Sequence, residues 1–433
     1  MKQYVAALDI GTSKMVAAVA GKDGTGNFLL LAQARESSDN SIRRGCIDND
    51  DTVAGKVAAL IQNLNRQLKN QACPPLEKIY VGIGGQSIHT REQIVKKEIK
   101  DGKISPELLS ALRKEAEKDT PDTEEILEIL PPDYYLDGQP VQEPEGYTGS
   151  EHIEARFLLV VNHRSLKKNL AAAIQARLKS LGVSIAGFFV SPLAAAEAVL
   201  TGSEKNSGYA LVELGAGLTY FSIYKGGRLK YLATIPLGAA AITKDICSLD
   251  LTEKEAEELK VKYGNALVTY GNDGAESAPE IAAREELKEF DFVVEARSNE
   301  IIANIKAQID RQGWGTLAGI VITGGGIGLK KFDTSLKQKT SLPVSSAKKS
   351  PVNFPGERLN PPEYATITGL LVSGKENCAK KEEEKPPVIV EPPQPPTTPI
   401  KPTTPAKKKV SLMDKFKKGV GTFTGNLFDD DNQ

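Results

Sequence analysis

Residues 4–24 read YVAALDIGTSKMVAAVAGKDG. A run of apolar and small residues from Tyr4 to Leu8 ends at Asp9. Gly11, Thr12, Ser13 and Lys14 then form a turn, and Met15 to Ala20 make a second apolar run. Both runs suit strands, and the residues between them suit a hairpin. A carboxylate at the end of a buried strand costs several kcal/mol to desolvate unless it finds a partner. Two readings of this stretch stay open. Either Asp9 caps its own turn, or it faces a hydrated divalent cation. In the second case the N–H groups, two hydroxyls and one ammonium of residues 11–14 face the oxygens of a polyphosphate.

The pattern returns in residues 207–229, SGYALVELGAGLTYFSIYKGGRL. Glu213 stands where Asp9 stood, followed by Gly215, Gly217 and Thr219, and Lys225-Gly226-Gly227 reads as a second hairpin turn. Such an echo predicts two similar subdomains facing one another across a cleft. A third glycine cluster lies in residues 319–332, GIVITGGGIGLKKF. The strand Ile320-Val321-Ile322 runs through Thr323 into Gly324, Gly325 and Gly326. Three glycines there lend nothing to packing and are read as the seat of a flat ligand or another backbone.

Between these strands, residues 52–71 carry Val53, Val57, Leu60, Ile61, Leu64 and Leu68 at helical spacing. Residues 166–183 and 191–202 repeat the helical pattern, closed by Gly182 and Gly202. Residues 84–165 read as a separate segment of charged helix and polar loop, and 265–298 as an exposed acidic insertion. The 433 residues are 40% apolar and 26% charged, with a formal net charge of -1, so no basic field points to nucleic acid. Four scattered cysteines read as reduced thiols, and three histidines leave little room for His-based metal or triad chemistry. The start of the chain does not read as a secretory signal, and no apolar window is long enough to span a bilayer.

From Glu376 to Lys409 the composition turns to Pro, Lys, Glu and Thr, a linker that spans roughly 30 Å as a coil. Beyond it, Leu412, Met413, Phe416, Val420, Phe423 and Leu427 form one apolar stripe flanked by Lys415, Lys417 and Lys418. This predicts an amphipathic helix lying on an anionic membrane surface, or one docked in a groove. The long leash favours the membrane. One such helix is a marginal anchor, so stable attachment requires several copies on one scaffold.

Taken in order, LDIGTSKM, SPLAAAEAVL, VELGAGLTYFSIYKGG, GIVITGGGIGLKKF and YATITGLL resemble the two phosphate loops, adenosine loop and two connecting helices of the actin/Hsp70/sugar-kinase ATPase superfamily. Within it, EAEELKVKYG, YATITGLLVSGKE and the interrupted first half are similar to the bacterial cell-division FtsA family. The resemblance implies an α/β actin-like ATPase fold: two similar lobes with an ATP cleft between them, a disordered linker and a C-terminal amphipathic helix. It implies a first lobe core over 1–83 and 166–200, an inserted subdomain over 84–165 and a second lobe core over 201–246 and 315–375. A nucleotide-base and partner-binding subdomain follows over 247–314, then a linker over 376–409 and a membrane-targeting tail over 410–433.

The resemblance also implies ATP and Mg as cofactors. Gly11, Thr12, Ser13 and Lys14 would hold phosphates, and Asp9 the magnesium through water. Glu213, Gly215 and Gly217 would form the facing clamp. Gly324, Gly325 and Gly326 would lie against the adenosine, with Glu257 and Lys260 at the base and ribose. Without the resemblance, those last two read as a surface ion pair. Implied partners are the FtsZ C-terminal peptide, further copies of the chain in a filament, an anionic membrane and later division proteins, at the cytoplasmic face of the plasma membrane at the septum. Two departures stand out. Glu213 and Leu218 replace the usual Asp and hydroxyl residue, and Ser191 stands where many active relatives have Glu. ATP binding with weak or no hydrolysis follows; no catalytic residue is assigned. Competing readings are an actin-fold phosphotransferase, an Hsp70-like chaperone and a type IV pilus assembly protein of the same fold.

Overall fold

Apolar strand runs separated by glycine turns build two five-stranded sheets. The computed structural model describes residues 3–100, 102–268, 284–311, 316–347 and 362–380, all within a unit that ends at Glu382. The predicted amphipathic tail and nearly all of the linker lie outside the described residues.

In the first sheet, Gln3–Ile10, Lys14–Lys22 and Phe28–Ser37 form an antiparallel meander. Lys78–Ile83 and then Ser184–Val190 extend it in parallel on the other side of Gln3–Ile10. In the second sheet Tyr209–Leu214, Thr219–Lys225 and Arg228–Ile235 form the meander, extended in parallel by Gly319–Thr323 and Val344–Ser346. Counted within each sheet, both orders run third, second, first, fourth, fifth. The echo in the sequence is therefore a repeat of topology.

Helices cover the first sheet on both faces, which is why Val5 to Leu8 are buried throughout. Asp50–Asn70 buries the six residues its spacing predicts, and Asn49 caps it by accepting from Thr52 N at 2.9 Å. It packs with Ser165–Ser180. On the other face lie Ser191–Val199 and Ala365–Ser373, which share a core with Leu211 and Val321 of the second sheet. These two helices cross backbone to backbone: a methyl group on Gly369 would overlap the Ala194 carbonyl. The alanines at 194, 195, 196 and 198 permit that approach.

Four expectations need correction. Residues 84–165 hold the expected charged helix, but five strands stand where polar loop was expected. Gln139–Val141, Asp133–Leu136, His152–His163 and His89–Glu98 form a sheet, with Glu124–Ile129 paired to His152–His163 and the helix Pro106–Lys118 packed on it. The charges mislead because they alternate with buried residues: Ile153, Ala155, Phe157 and Leu159 all point into a separate core. Of the exposed insertion expected over 265–298, residues 269–283 lie outside the described residues, and 284–298 are the first half of the helix Arg284–Arg311. There Phe290, Val294, Ser298, Ile301 and Ile305 recur at steps of three and four and are buried. Residues 376–380 belong to the body, not the linker. Cys378 is buried, its N donates to Tyr4 O at 2.7 Å, and its carbonyl accepts from the N–H groups of Glu77 and Lys78. Gly202 does not close the preceding helix; it opens a short one, Gly202–Ser207, capped reciprocally by Thr201 and Glu204.

All four cysteines are free. No helix among the described residues is long and apolar enough to cross a membrane. The helix crossing yields a prediction. Gly369→Ala places a side chain in a backbone contact and is expected to cost about 3 kcal/mol, lowering the midpoint of thermal unfolding by circular dichroism. Melting identical to the wild type would rule the crossing out.

Candidate functional site

The two glycine turns are built alike. Gly11 N donates to Lys14 O at 3.0 Å, and Gly215 N donates to Leu218 O at 2.9 Å. In each, the acid stands two positions before the glycine, on the first strand of its sheet. Asp9 lies opposite Val16, and Glu213 opposite Tyr220. The turns face each other closely: a methyl group on Gly217 would come within 2.7 Å of Thr12 Oγ1. Ser13 is exposed at the tip. The second turn is buttressed by the start of the helix Ala240–Ile246, where Ala239 N donates to Gly215 O at 2.9 Å and Ala240 N to Ala216 O at 2.8 Å.

Protein atoms crowd both acids, although each residue keeps a solvent-accessible edge. Burial pushes Asp9 up to about 6, opposed by the Lys14 charge. Burial pushes Glu213 up to about 7; the Thr366 hydroxyl opposes this and the Asp9 charge adds to it. Thr366 Oγ1 donates to Glu213 Oε1 at 2.6 Å, whereas buried Glu213 Oε2 has no hydrogen-bond partner among the described residues. An orphaned carboxylate oxygen beside a second carboxylate fits a divalent cation. No cluster of three or more acidic, His or Cys ligands exists among the described residues. The ion would therefore keep much of its water, as Mg²⁺ does.

Lys14 is engaged elsewhere. Its Nζ donates to Glu363 Oε2 at 2.8 Å and lies 4.5 Å from the Tyr364 ring centroid. In the third cluster, Gly324 has φ +95° and lies against the Leu214 backbone, and Gly326 lies against the Leu214 side chain and Ala239. Gly324 thus meets another backbone, one of the two alternatives its sequence offered, and Gly326 meets side chains. Gly325 is exposed, with Glu363 Cβ at 3.9 Å the nearest atom to a methyl group built there, so it is the open seat of the three.

Lys260 and Glu257 do not form a plain surface pair. Lys260 is buried and donates to Glu257 Oε2 at 2.6 Å, Thr243 Oγ1 at 2.8 Å and Ala239 O at 3.3 Å. All three ammonium hydrogens are spent, which leaves the half-exposed Glu257 as the group of that pair able to meet a ligand. Ser191 is buried at the start of its helix, with Oγ 2.8 Å from where a methyl group on Gly82 would stand; Asp9 Oδ1 is 3.7 Å from the same point. Glu197 pairs instead with Lys205 at 2.7 Å.

The sequence reading missed Gly82, Gly84, Gly85 and Tyr220. Tyr220 Oη accepts from Gly85 N at 2.7 Å, across the two sheets. The signal was present: an apolar strand, KIYVGI, running into Gly84-Gly85, the same pattern as the other three turns.

Residues 210–369 match the family model described as Cell division protein FtsA, and residues 85–161 match the SHS2 domain inserted in FtsA. The chain is 32% identical to Cell division protein FtsA of Porphyromonas gingivalis over 346 residues, covering 78% of this chain and 71% of that one. It is 27% identical to Cell division protein FtsA of Pseudomonas aeruginosa, covering 86% and 89%. Among solved structures, the PilM-PilN type IV pilus biogenesis complex is similar, with a TM-score of 0.57 and 15% identity over 85% of this chain and 97% of that one. That likeness is one of fold. The fold of this chain is actin-like.

The raised carboxyls predict a pH dependence. A group whose folded pKa exceeds its unfolded value binds more protons when folded, so its contribution to stability is lost as pH rises through the folded value. Without divalent cations, stability is expected to fall between about pH 4 and about pH 7 on account of these two groups. Glu213→Gln is expected to flatten the upper half of that fall in melting experiments. A variant with an unchanged pH profile would contradict the burial of Glu213.

Proposed function

The chain belongs to the FtsA family of cell division proteins, and from that membership we propose that it binds ATP, polymerises on the inner face of the cytoplasmic membrane and tethers the FtsZ ring to it at the septum. The observation that carries this reading is the pair of matched glycine turns, with Asp9 and Glu213 crowded together and one carboxylate oxygen unsatisfied. Gly11, Thr12 and Ser13 suit the β- and γ-phosphates, through the N–H groups and hydroxyls of Thr12 and Ser13 and the open backbone at Gly11, and Gly215 and Gly217 suit the opposite side. Asp9 would hold magnesium through water, helped by Glu213. Magnesium would neutralise phosphate charge there, and phosphate would offer Lys14 an alternative to Glu363. Gly325 gives the adenosine an unobstructed surface, and Glu257 reaches the ribose side. With Ser191 in place of a carboxylate and Glu197 paired elsewhere, neither of these two positions orients an attacking water, and hydrolysis is weak or absent.

Filament formation would gather many tails, each with its apolar stripe and three lysines, into one stable attachment. The FtsZ C-terminal peptide is assigned to the subdomain over 247–314, and contacts within the filament and with later division proteins to the subdomain over 84–165. The pilus-complex likeness, at 15% identity, supports the fold and favours no second function.

Two measurements test this. Isothermal calorimetry is expected to show that Asp9→Ala and Gly325→Asp each lower MgATP affinity by at least about 100-fold, a loss of about 2.7 kcal/mol, with folding intact by circular dichroism. Normal affinity in both variants would misplace the cleft. In liposome co-sedimentation, removing residues 410–433 is expected to abolish pelleting with anionic vesicles, and unchanged pelleting would discard the tail assignment.

A further inference from the structure

The segment that leads from the first sheet into the inserted subdomain, residues 85–90, is sewn to the second sheet. Gly85 N donates to Tyr220 Oη at 2.7 Å. Ile88 O accepts from Thr234 Oγ1 at 2.6 Å. Thr90 Oγ1 accepts from Leu232 N at 2.9 Å and lies 3.2 Å from Leu232 O. Further along the same edge strand, Arg228 and Lys230 reach Asp133 of the inserted subdomain at 3.2 and 3.1 Å. So the inserted subdomain, covalently part of the first half of the chain, is also held by the strand Arg228–Ile235 of the second half. That strand runs on to Leu237, whose carbonyl accepts from Thr219 Oγ1 at 2.7 Å, and to Ala239, which donates to Gly215 O in the second glycine turn. Tyr220 is the cross-strand neighbour of Glu213.

We propose that Tyr220 is a positioning residue that couples the acidic end of the cleft to the inserted subdomain, through Gly85 and the stitches at Thr234 and Thr90. A change in the separation of the two glycine turns shifts Tyr220 relative to Gly85 and is passed to residues 85–90. The Tyr220 ring sits on the strand that follows the second turn, so it moves with Glu213. Its hydroxyl contacts the glycine turn Gly82–Gly85, where even a methyl group on Gly84 would stand 2.7 Å from Oη. Gly84 and Gly85 have no side chain to absorb the displacement. The proposal rests on the ATP reading for the identity of the ligand, but not for the existence of the linkage.

The test is hydrogen–deuterium exchange on the full chain without lipid, comparing wild type, Tyr220→Phe, Thr234→Val and Thr234→Ser, each with and without MgATP. Without ligand, Tyr220→Phe and Thr234→Val are expected to speed exchange in residues 85–100 by roughly tenfold, the loss of one hydrogen bond. Thr234→Ser keeps its hydroxyl and should exchange like wild type. With MgATP, wild type is expected to change its exchange in 85–100 and 152–163. Tyr220→Phe is expected to bind MgATP with affinity within about threefold of wild type and to show no such change. Unaltered ligand-free exchange in Tyr220→Phe, or a full MgATP response in it, overturns the coupling. Failure of wild type to bind MgATP overturns the ATP reading alone, because the ligand-free comparison still decides the linkage.

Discussion

The Ala194 carbonyl lies where any side chain on residue 369 would have to be. This contact fixes how close the two crossing helices approach, and the helices in turn fix the two sheets. Ser191 at the start of one helix packs on Gly82 beside Asp9, while Thr366 at the start of the other holds Glu213. The separation of the two acids thus depends on a contact in which neither takes part. Backbone crossings of this kind resist compression and transmit displacement. They suit a pivot between two similar halves.

Around that pivot, the cleft is arranged at an energetic disadvantage. Two carboxylates are desolvated side by side, and the nearest cation, Lys14, is drawn away by Glu363 and Tyr364. Partly buried pairs such as Lys14–Glu363 gain little over hydration, so a phosphate can compete for the ammonium without a large penalty. Under the proposed reading, a magnesium-bound triphosphate would answer both problems: the metal would satisfy the acids and the phosphates would receive the lysine. The same groups explain why the cleft loosens as pH rises, when both acids charge against only Lys14 and the Thr366 hydroxyl.

The sequence made the repeat legible because strand, acidic turn and strand recur with the same residue types, and the sheet orders repeat accordingly. Helix Asp50–Asn70 was readable from its apolar spacing to within two residues at its start and one at its end. Side-chain pairing was not. Lys14 and Glu363 are 349 positions apart, and Glu213 and Thr366 are 153 apart, separations over which periodicity carries no information. Lys260 looked like an exposed helix residue because its acceptors, Thr243 and the Ala239 carbonyl, come from another helix and its entry turn. The inserted subdomain was misread because charged residues on the outer face of a sheet dilute the alternation that marks its inner face. Two of the three glycines at 324–326 turned out to serve Leu214, which shows that a glycine cluster reports close approach without naming what approaches.

The place where the described body ends bears on how a leash could work. Residues 374–380 return to the first sheet, where Cys378 bonds to Tyr4 and Lys78 at the start of their strands. Asp9 stands near the far end of the same strand as Tyr4, five residues on, or about 17 Å at 3.3 Å per residue. Anything attached beyond residue 380 therefore departs from the end of the first sheet remote from the acids. The second sheet is held to the first by the crossing helices and the stitches at residues 85–90. A segment joined to the body at residue 380 is therefore continuous with the first sheet, and it reaches the second sheet only through those same helices and stitches.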